Sequence, residues 1–348
     1  MERLMKEQIT VVGAGSWGTA IANLLGEKGY NTRLWVRTKS IEESINLARQ
    51  NHKYLSGVEI TKSVRAYTDL EEAVSGSMLV FLVIPAQGVR KMAQSLAKIL
   101  PSSTIVINAS KGIEIGSLCR MSQVLQEEFP PELAANIGLI SGPNHAEEVS
   151  RRIPSATVVA SNKKEVAQYV QEIMFTSSFR VYTNPDMIGV ELGGALKNII
   201  AIAAGACDGL GFGDNTKSAL MTRGLAEIAR LGKVMGASPL TFAGLSGMGD
   251  LITTCTSKHS RNRRVGMELA QGKSLDEIMK GMNDMVAEGV PTTKAAHQLA
   301  EKYGVELPIT EVVYNVIFNN QSTREAVIRL MGREATYEEE MLNDIWRN

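Results

Sequence analysis

Short runs of aliphatic and β-branched residues alternate with helix-length amphipathic stretches over the first half of the chain. Such an alternation predicts a parallel sheet whose strands are joined by helical crossovers. The run Met78–Ile84 is apolar at every position, which is typical of a strand covered by helices on both faces. The predicted strands are Ile9–Val12, Thr32–Val36, Met78–Ile84, Thr104–Asn108, Ile137–Ile140 and Ala156–Ala160.

The strand pattern stops after about Asp186, and the remaining sequence shows helical periodicity interrupted by glycine. The predicted helices there are residues 186–208, 216–235, 260–271, 291–303, 310–319 and 322–331. We therefore predict an α/β fold with two domains. A mostly parallel sheet domain occupies residues 1–185, and an all-α domain occupies residues 186–348.

A glycine-rich turn joins the first predicted strand to a helix. Gly13, Gly15 and Gly18 form the pattern G-x-G-x-x-G, which has weight because it lies between a strand and a helix. In Rossmann-type dinucleotide-binding domains, the first glycine permits the turn, the second lets a pyrophosphate approach, and the third packs the helix on the strand. We predict such a domain here. Trp17, inside the turn, either packs in the core or lies at the loop surface.

The end of the second strand bears on the choice of cofactor. NAD-specific folds place an acidic residue there, against the ribose 2′-hydroxyl, but this chain has Arg37. A guanidinium suits a 2′-phosphate, so the sequence predicts that NADP is accepted and that NADPH is preferred over NADH. The alternative is a solvated surface arginine.

The composition excludes several classes of protein. The 348 residues contain 37 basic and 37 acidic side chains, so no overall positive field exists to bind nucleic acid or an anionic membrane. The longest apolar runs are shorter than a membrane span, and the N-terminus lacks the layout of a secretory signal. Three widely spaced cysteines fit a reducing compartment. We expect a cytoplasmic protein without membrane insertion and without a metal site.

Lys197 is the single charge in the apolar stretch from Leu192 to Cys207. On a helical wheel it shares a face with small residues, which leaves room for a ligand beside the ammonium. Burial lowers the pKa of a lysine, and this makes it a usable proton donor near neutral pH. The alternative is a lysine that extends to solvent at the edge of the domain.

Two other segments end predicted strands, where ligands bind in open α/β sheets. Lys111 follows the strand Thr104–Asn108, and the loop 141–146 follows the strand Ile137–Ile140. The loop offers backbone donors to an anion. We interpret His145, in that loop, as a surface residue rather than a general acid.

The helical half contains two further candidates. Asp250 ends a glycine-rich turn, where it caps the next helix, orients a lysine or accepts from substrate hydroxyls. The segment 258–264 has four basic residues at the start of a helix, with Ser260 at the cap. It lacks interleaved aromatic residues, so we predict a phosphate pocket there and not a nucleic-acid patch.

Eight short motifs occur in one order along nearly the whole chain. They are Gly13–Ala20, Val83–Pro85, Ser110–Gly112, Ser141–Pro143, Glu191–Asn198, Gly247–Asp250, Ser260–Asn262 and Val286–Gly289. In this set and order the sequence resembles the bacterial NAD(P)H-dependent glycerol-3-phosphate dehydrogenases. The resemblance implies reversible reduction of dihydroxyacetone phosphate to sn-glycerol 3-phosphate by NADPH or NADH, for glycerophospholipid synthesis. It leaves a homodimer open.

The resemblance also implies roles for individual positions. Lys197 matches the catalytic lysine, and Lys111 its companion beside cofactor and substrate. The implied substrate contacts are Lys111, Gly142, Asn144, Lys197, Asp250, Ser260, Arg261 and Asn262. The implied cofactor contacts, besides the three glycines, are Ser16, Trp17, Arg37, Tyr54, Lys111, Ala146, Arg261, Val286 and Glu288. Asn144 departs from the small hydroxyl residue that the family commonly has there, which leaves its own contact open.

Two other functions remain open on the sequence. One is a reductase of similar layout that acts on a ketone without phosphate, and the other is a sensor that binds NADP without turnover. A comparison of phosphorylated with unphosphorylated ketones, in an NADPH-consumption assay, separates these functions.

Overall fold

The computed structural model describes residues 7–282 and 285–333. Its eight strands form one sheet in the order β3-β2-β1-β4-β5-β6-β7-β8. The strands are β1 (Gln8–Val12), β2 (Asn31–Trp35), β3 (Val64–Tyr67), β4 (Leu79–Leu82), β5 (Ile105–Asn108), β6 (Ile137–Ser141), β7 (Ser155–Ala160) and β8 (Phe179–Asn184). The first six run parallel to one another, whereas β7 pairs antiparallel with β6 and parallel with β8. The Rossmann-type, mostly parallel sheet is confirmed.

The helices flank the sheet and then form the rest of the chain. Those of the sheet part are α1 (Ser16–Glu27), α2 (Lys39–Ala48), α3 (Leu70–Val74), α4 (Val89–Leu96), α5 (Met121–Glu128), α6 (Pro131–Ala134), α7 (Ala146–Val149) and α8 (Lys164–Met174). Those of the helical part are α9 (Met187–Gly209), α10 (Asp214–Val234), α11 (Pro239–Phe242), α12 (Asp250–Thr256), α13 (Arg261–Ala270), α14 (Leu275–Lys280), α15 (Gly289–Tyr303), α16 (Pro308–Phe318) and α17 (Thr323–Met331). A π-helical turn, Leu245–Gly249, leads into α12.

All six predicted strands are present, and two more lie at the sheet edges. β4 is buried at every position, as its continuous apolar sequence predicts. The strands that the sequence analysis missed are β3 and β8, in which exposed positions alternate with buried ones. An edge strand has fewer neighbours to bury it, so its sequence carries more polar residues and a weaker signal.

The six long predicted helices of the second half are present, with ends that differ by a few residues. The prediction missed α11, α12 and α14, which are four to seven residues long. Two turns or fewer give too few positions for a periodic pattern to stand out.

The central helix α9 organises the second half. It packs against α10, α12, α13, α15 and α16, and most of its residues are buried. The helix is apolar and long enough to cross a membrane by length and composition, but 83% of its most apolar window is buried inside the protein. This is the behaviour of a core helix.

Glycines let α9 and α13 approach backbone to backbone. A Cβ on Gly205 would lie 1.9 Å from the carbonyl oxygen of Arg263, and one on Gly266 would lie 1.8 Å from that of Ile202. Because atoms cannot approach so closely, any larger residue at either position would separate the helices. The reciprocal glycines therefore fix the position of α13 relative to α9.

Candidate active site

A cleft of about 380 Å³ lies between the sheet and the helical part. Its floor is the carboxyl edge of the sheet, where the loops after β1 and β4 diverge to opposite sides. Ligands of open α/β sheets bind at this kind of switch point. Its other wall is formed by α9, α12, the start of α13 and the segment before α15.

The glycine-rich turn fits a dinucleotide. A Cβ on Gly13 would lie 2.2 Å from the carbonyl oxygen of Val83, and one on Gly18 would lie 1.9 Å from that of Gly13. A Cβ on Gly15, in contrast, would meet no atom within 4 Å. Two glycines are thus required by the protein's own packing, whereas the third leaves the backbone open to the cleft at the N-terminus of α1. This is the arrangement that holds a pyrophosphate.

The chain after α2 braces this turn. The Ser16 hydroxyl donates to the carbonyl of Tyr54 at 2.5 Å, and the Asn51 amide donates to the carbonyl of Ala14 at 2.9 Å. Trp17 satisfies both interpretations of the sequence, because it lines the cleft and also packs against Phe179, with ring centroids 6.3 Å apart.

Arg37 lies at the rim of the cleft beyond β2. Its side chain is exposed, and in the described part of the chain no carboxylate pairs with its guanidinium. Lys39, two residues on, is instead held by Glu42 at 2.8 Å. The guanidinium of Arg37 is therefore available to an anion at the cleft.

Two lysines share one carboxylate in the middle of the cleft. Lys197 on α9 and Lys111 after β5 both donate to Asp250, Lys111 at 2.6 Å and Lys197 through the other oxygen. Lys197 also donates to the Thr254 hydroxyl at 2.5 Å, and Lys111 donates to the carbonyl of Gly142 at 3.1 Å. The cluster has one positive charge in excess, and it joins the sheet to the helical part.

Lys197 does not extend to solvent, since only 5% of it is exposed. Burial lowers its pKa to about 8, against the opposing effect of the Asp250 carboxylate, and Lys111 lowers it further. An ammonium with this pKa is charged near neutral pH and still gives up its proton readily. Asp250 does not cap α12 through its side chain, because its carboxylate serves the two lysines instead.

The start of α13 is the second polar feature of the cleft. The Ser260 hydroxyl accepts from the backbone of Arg263 at 3.2 Å and so caps the helix. Arg261 donates to the carbonyl of Val286 at 2.9 Å, and burial lowers its pKa. Asn262 braces the wall, because it donates to Asn198 at 2.8 Å and accepts from the backbone of Gly289 at 2.9 Å.

Two of the three arginines in the predicted phosphate pocket, residues 258–264, pair outside the cleft. The pocket itself stays a prediction. Arg263 turns away to Asp208 at 2.6 Å, and Arg264 pairs with Glu268 at 2.6 Å. Only Arg261, of the three arginines, lines the cleft. Arg263 lies about 200° around the helix from Arg261 and so points elsewhere, whereas Arg264 is held by Glu268 on the next turn.

Glu288 is a buried carboxyl that joins the two walls. One oxygen accepts from the backbone N–H of Ala86 at 3.0 Å, while the other has no hydrogen-bond partner among the described residues. Burial raises the pKa of Glu288 to about 7, although Arg261 opposes this. The carboxyl is therefore protonated in part of the molecules at neutral pH.

Two family models match this chain, one in each half. Residues 8–167 match the family model for the N-terminus of NAD-dependent glycerol-3-phosphate dehydrogenase, and residues 186–328 match the model for its C-terminus. The chain belongs to this family. A relative from Bacillus thuringiensis named glycerol-3-phosphate dehydrogenase [NAD(P)+] is 52% identical over 338 residues, which cover 97% of this chain and 99% of the relative.

Solved structures of family members have the same fold. The glycerol-3-phosphate dehydrogenase of Coxiella burnetii aligns with a TM-score of 0.90 and 36% identity, over 94% of this chain and all of that one. The enzyme of Saccharomyces cerevisiae aligns with a TM-score of 0.78 and 30% identity, over 92% of this chain and 98% of that one. The family resemblance given by the eight motifs is thereby confirmed.

Most residues that the sequence assigned to the site of this dehydrogenase line one cleft. They are Gly13, Gly15, Ser16, Trp17, Gly18, Arg37, Tyr54, Lys111, Asn144, Lys197, Asp250, Ser260, Arg261, Asn262, Val286 and Glu288. Gly142 does not line it, but its carbonyl accepts from Lys111. Ala146 lies behind the wall, in an apolar cluster with Ala20, Leu55 and Val58. The individual roles of these residues remain predictions.

His145 also lines the cleft, although the sequence analysis placed it at the surface. The residue is half-buried, and its Nε2 atom is buried without a partner. Burial lowers the pKa of His145, and the positive charge of Lys197 adds to this effect. His145 lies two positions after the Ser141–Pro143 motif, but no local pattern in the sequence distinguishes it from a surface residue.

Within residues 7–282 and 285–333, no three His, Cys, Asp or Glu side chains converge as a metal site would require. The candidate chemistry of the dehydrogenase cleft is therefore built from its cations, its carboxyls and its backbone donors.

Proposed function

We propose that this dehydrogenase reduces dihydroxyacetone phosphate to sn-glycerol 3-phosphate in the cleft, with Lys197 as the proton donor. The observation that carries the proposal is the buried Lys197 ammonium, held by Asp250 beside a glycine-rich turn. The names of the relatives support the reaction.

The glycine-rich turn and Arg37 hold the cofactor. When bound, the reduced nicotinamide supplies a hydride for the carbonyl carbon of the substrate. Glu288, between the two walls, contacts the cofactor through its unpaired oxygen. This oxygen accepts a hydrogen bond when the carboxyl is ionised and can donate one when it is protonated.

Lys197 acts on the carbonyl oxygen. Its Nζ donates a hydrogen bond to that oxygen, and the proton crosses to it as negative charge develops. The alkoxide that would otherwise form is far more basic than an amine whose pKa is about 8, so the transfer is downhill. Asp250 keeps the ammonium charged and aimed, and Lys111 adds a second positive charge beside the same oxygen.

The start of α13 binds the phosphoryl end of the substrate. The first N–H groups of a helix have no intrahelical acceptor, and the positive end of the helix dipole favours an anion. Arg261 adds a fixed positive charge. In this arrangement the N-terminus of α13 contacts the phosphate of the substrate, and the Lys197 ammonium contacts its ketone oxygen.

An NADPH-consumption assay tests the proposal. The wild-type protein should consume NADPH with dihydroxyacetone phosphate and much more slowly with dihydroxyacetone. Lys197→Ala should lower kcat by about a thousandfold or more while the fold and NADPH binding persist. Near-normal turnover of that variant would reject Lys197 as the proton donor.

The same assay separates the alternatives. A reductase for unphosphorylated ketones would show the opposite substrate preference, and a sensor would consume no NADPH with any ketone. Lys111, Lys197 and the N-terminus of α13, which can bind an anion, lie in one cleft. This arrangement favours a phosphorylated substrate over both alternative functions.

We extend the proposal to cofactor preference, domains and setting. The exposed Arg37 guanidinium supports a preference for NADPH. The division of the family models supports a cofactor-binding domain in residues 1–185 and a substrate-binding domain in residues 186–348. The product would supply phospholipid synthesis in the cytoplasm.

A further inference from the structure

Two imidazoles face each other across the cleft, one from each wall. His145 lies between β6 and α7, and His259 directly precedes Ser260, the cap of α13. Both residues line the cleft, and their ring centroids are 5.9 Å apart. The chain has only four histidines, so the meeting of two of them here is a specific feature of the site.

Both imidazole rings have nitrogen atoms that are not hydrogen-bonded within the described residues. The Nε2 atom of His145 is buried without a hydrogen-bond partner. A buried polar atom is normally paired with protein or with ordered water, so this nitrogen has capacity for one further hydrogen bond in the cleft. His259 is exposed; its backbone N–H donates to Ser257 at 3.1 Å, and its ring makes no hydrogen bond to the described residues.

The neighbourhood of the pair suits a dianion. Ser260 caps only the N–H of Arg263, so the earlier N–H groups of α13 remain available. Asp250 already offsets much of the charge of Lys111 and Lys197, which leaves Arg261 as the cation nearest to this end. One guanidinium does not fill the hydrogen-bond acceptor sites of a phosphate dianion. Two imidazole N–H groups supply further donors.

We propose that His145 and His259 bind the phosphoryl group of the substrate from opposite walls of the cleft and so set the preference for a phosphorylated ketone. The inference rests on the proposed function and adds to it the residues that recognise the phosphate. The two rings lie on different parts of the chain, so a phosphate bound by both rings would bridge the two walls of the cleft.

Three variants test this proposal. His145→Phe keeps a ring but removes both nitrogens, His145→Gln restores an N–H donor, and His259→Ala removes the exposed ring. His297→Gln is the matched control, because His297 stacks on Tyr314 and does not line the cleft. The measurements are kcat and KM with dihydroxyacetone phosphate and with dihydroxyacetone, and the Kd of sn-glycerol 3-phosphate in the presence of NADPH, which do not react together.

We expect His145→Phe and His259→Ala to raise the KM for dihydroxyacetone phosphate and the Kd for sn-glycerol 3-phosphate about tenfold each, as for the loss of a hydrogen bond to a charged group. The kcat should change less than about threefold, and kcat/KM for dihydroxyacetone should stay unchanged. His145→Gln should recover part of the loss. The control should behave like the wild type.

The proposal is overturned if KM and Kd change less than about twofold, or if both ketones are affected equally. If the wild type consumes no NADPH with either ketone, the proposed function fails, and the Kd of inorganic phosphate then tests the histidines alone. If His145→Phe does not fold, the exposed His259 carries the test, since its replacement removes no buried contact.

Discussion

Replacing Asp250 by asparagine should move the pH dependence of the reaction. Asp250 is the shared partner of Lys197 and Lys111, and its negative charge favours the ammonium form of Lys197. Ketone reduction needs that form, so kcat/KM of the wild type should fall as the pH rises through about 8. Without the carboxylate, the desolvation of Lys197 and the repulsion from Lys111 act unopposed. The pKa of Lys197 then falls, and the decline begins at lower pH.

The magnitude follows from the charges. Two unit charges about 4 Å apart interact by roughly 4 kcal/mol at an effective dielectric constant of about 20. One pKa unit corresponds to about 1.4 kcal/mol, so an interaction of this size changes the pKa of Lys197 by about 3 units before screening by water. Water that enters the altered site screens part of this. We therefore expect the base-side pKa of kcat/KM to fall by at least about 1 unit in Asp250→Asn.

The assay follows NADPH absorbance with dihydroxyacetone phosphate from about pH 6 to about pH 10. Asp208→Asn is the matched control, because Asp208 also pairs with two cations, Arg263 and Lys217, but does not line the cleft. Oxidation of sn-glycerol 3-phosphate needs neutral Lys197, so its optimum should move to lower pH in Asp250→Asn. If kcat falls while both profiles keep the wild-type pKa, another group supplies the proton, and the reasoning is refuted.

Three further predictions concern the cofactor site and the stability of the fold. Arg37→Gln should raise the Kd of NADPH about tenfold to a hundredfold and leave that of NADH unchanged in fluorescence titrations; an equal loss for both would contradict a 2′-phosphate contact. Gly15→Ala should fold with a normal Tm but bind NADPH weakly, whereas Gly18→Ala, whose Cβ would lie 1.9 Å from a carbonyl oxygen, should lose about 3 kcal/mol or more in denaturant unfolding. Burial raises the pKa of Glu227 to about 7, so the unfolded chain ionises first and stability falls as the pH rises from about 4.5 to 7. Glu227→Gln should remove this fall from the Tm, and an unchanged slope would show that Glu227 ionises normally.

The predictions from the sequence were best where a single property, such as continuous hydrophobicity or an isolated charge, marks a segment. Strand β4 is apolar at every position, and Lys197 is the single charge between Leu192 and Cys207, so a simple rule covers each of them. Strands β3 and β8 were not predicted, because polar and apolar residues alternate in these edge strands and neither has a long apolar run. The antiparallel direction of β7 depends on how the chain returns after β6, which local periodicity does not encode.

Partnerships between distant residues were harder to predict. Asp250 lies 53 positions from Lys197 and 139 from Lys111, so only the folded chain shows that the three side chains form one cluster. His145 has no local pattern that distinguishes a cleft residue from a surface one. The arginines after Ser260 read as one charge cluster, but helical geometry directs Arg263 to a different partner.

The reciprocal glycines of α9 and α13 bear on the geometry of the site. Lys197 is on α9, eight residues before Gly205, and Arg261 is on α13, five residues before Gly266. The close contacts at Ile202 and Arg263 fix the point where the two helices cross. Each helix carries one proposed substrate-binding residue at a set distance from that point, Lys197 on α9 and Arg261 on α13. The helix crossing therefore fixes where Arg261 lies relative to Lys197 in the cleft. Part of the geometry of the site is thus set by a backbone contact between residues that do not line the cleft.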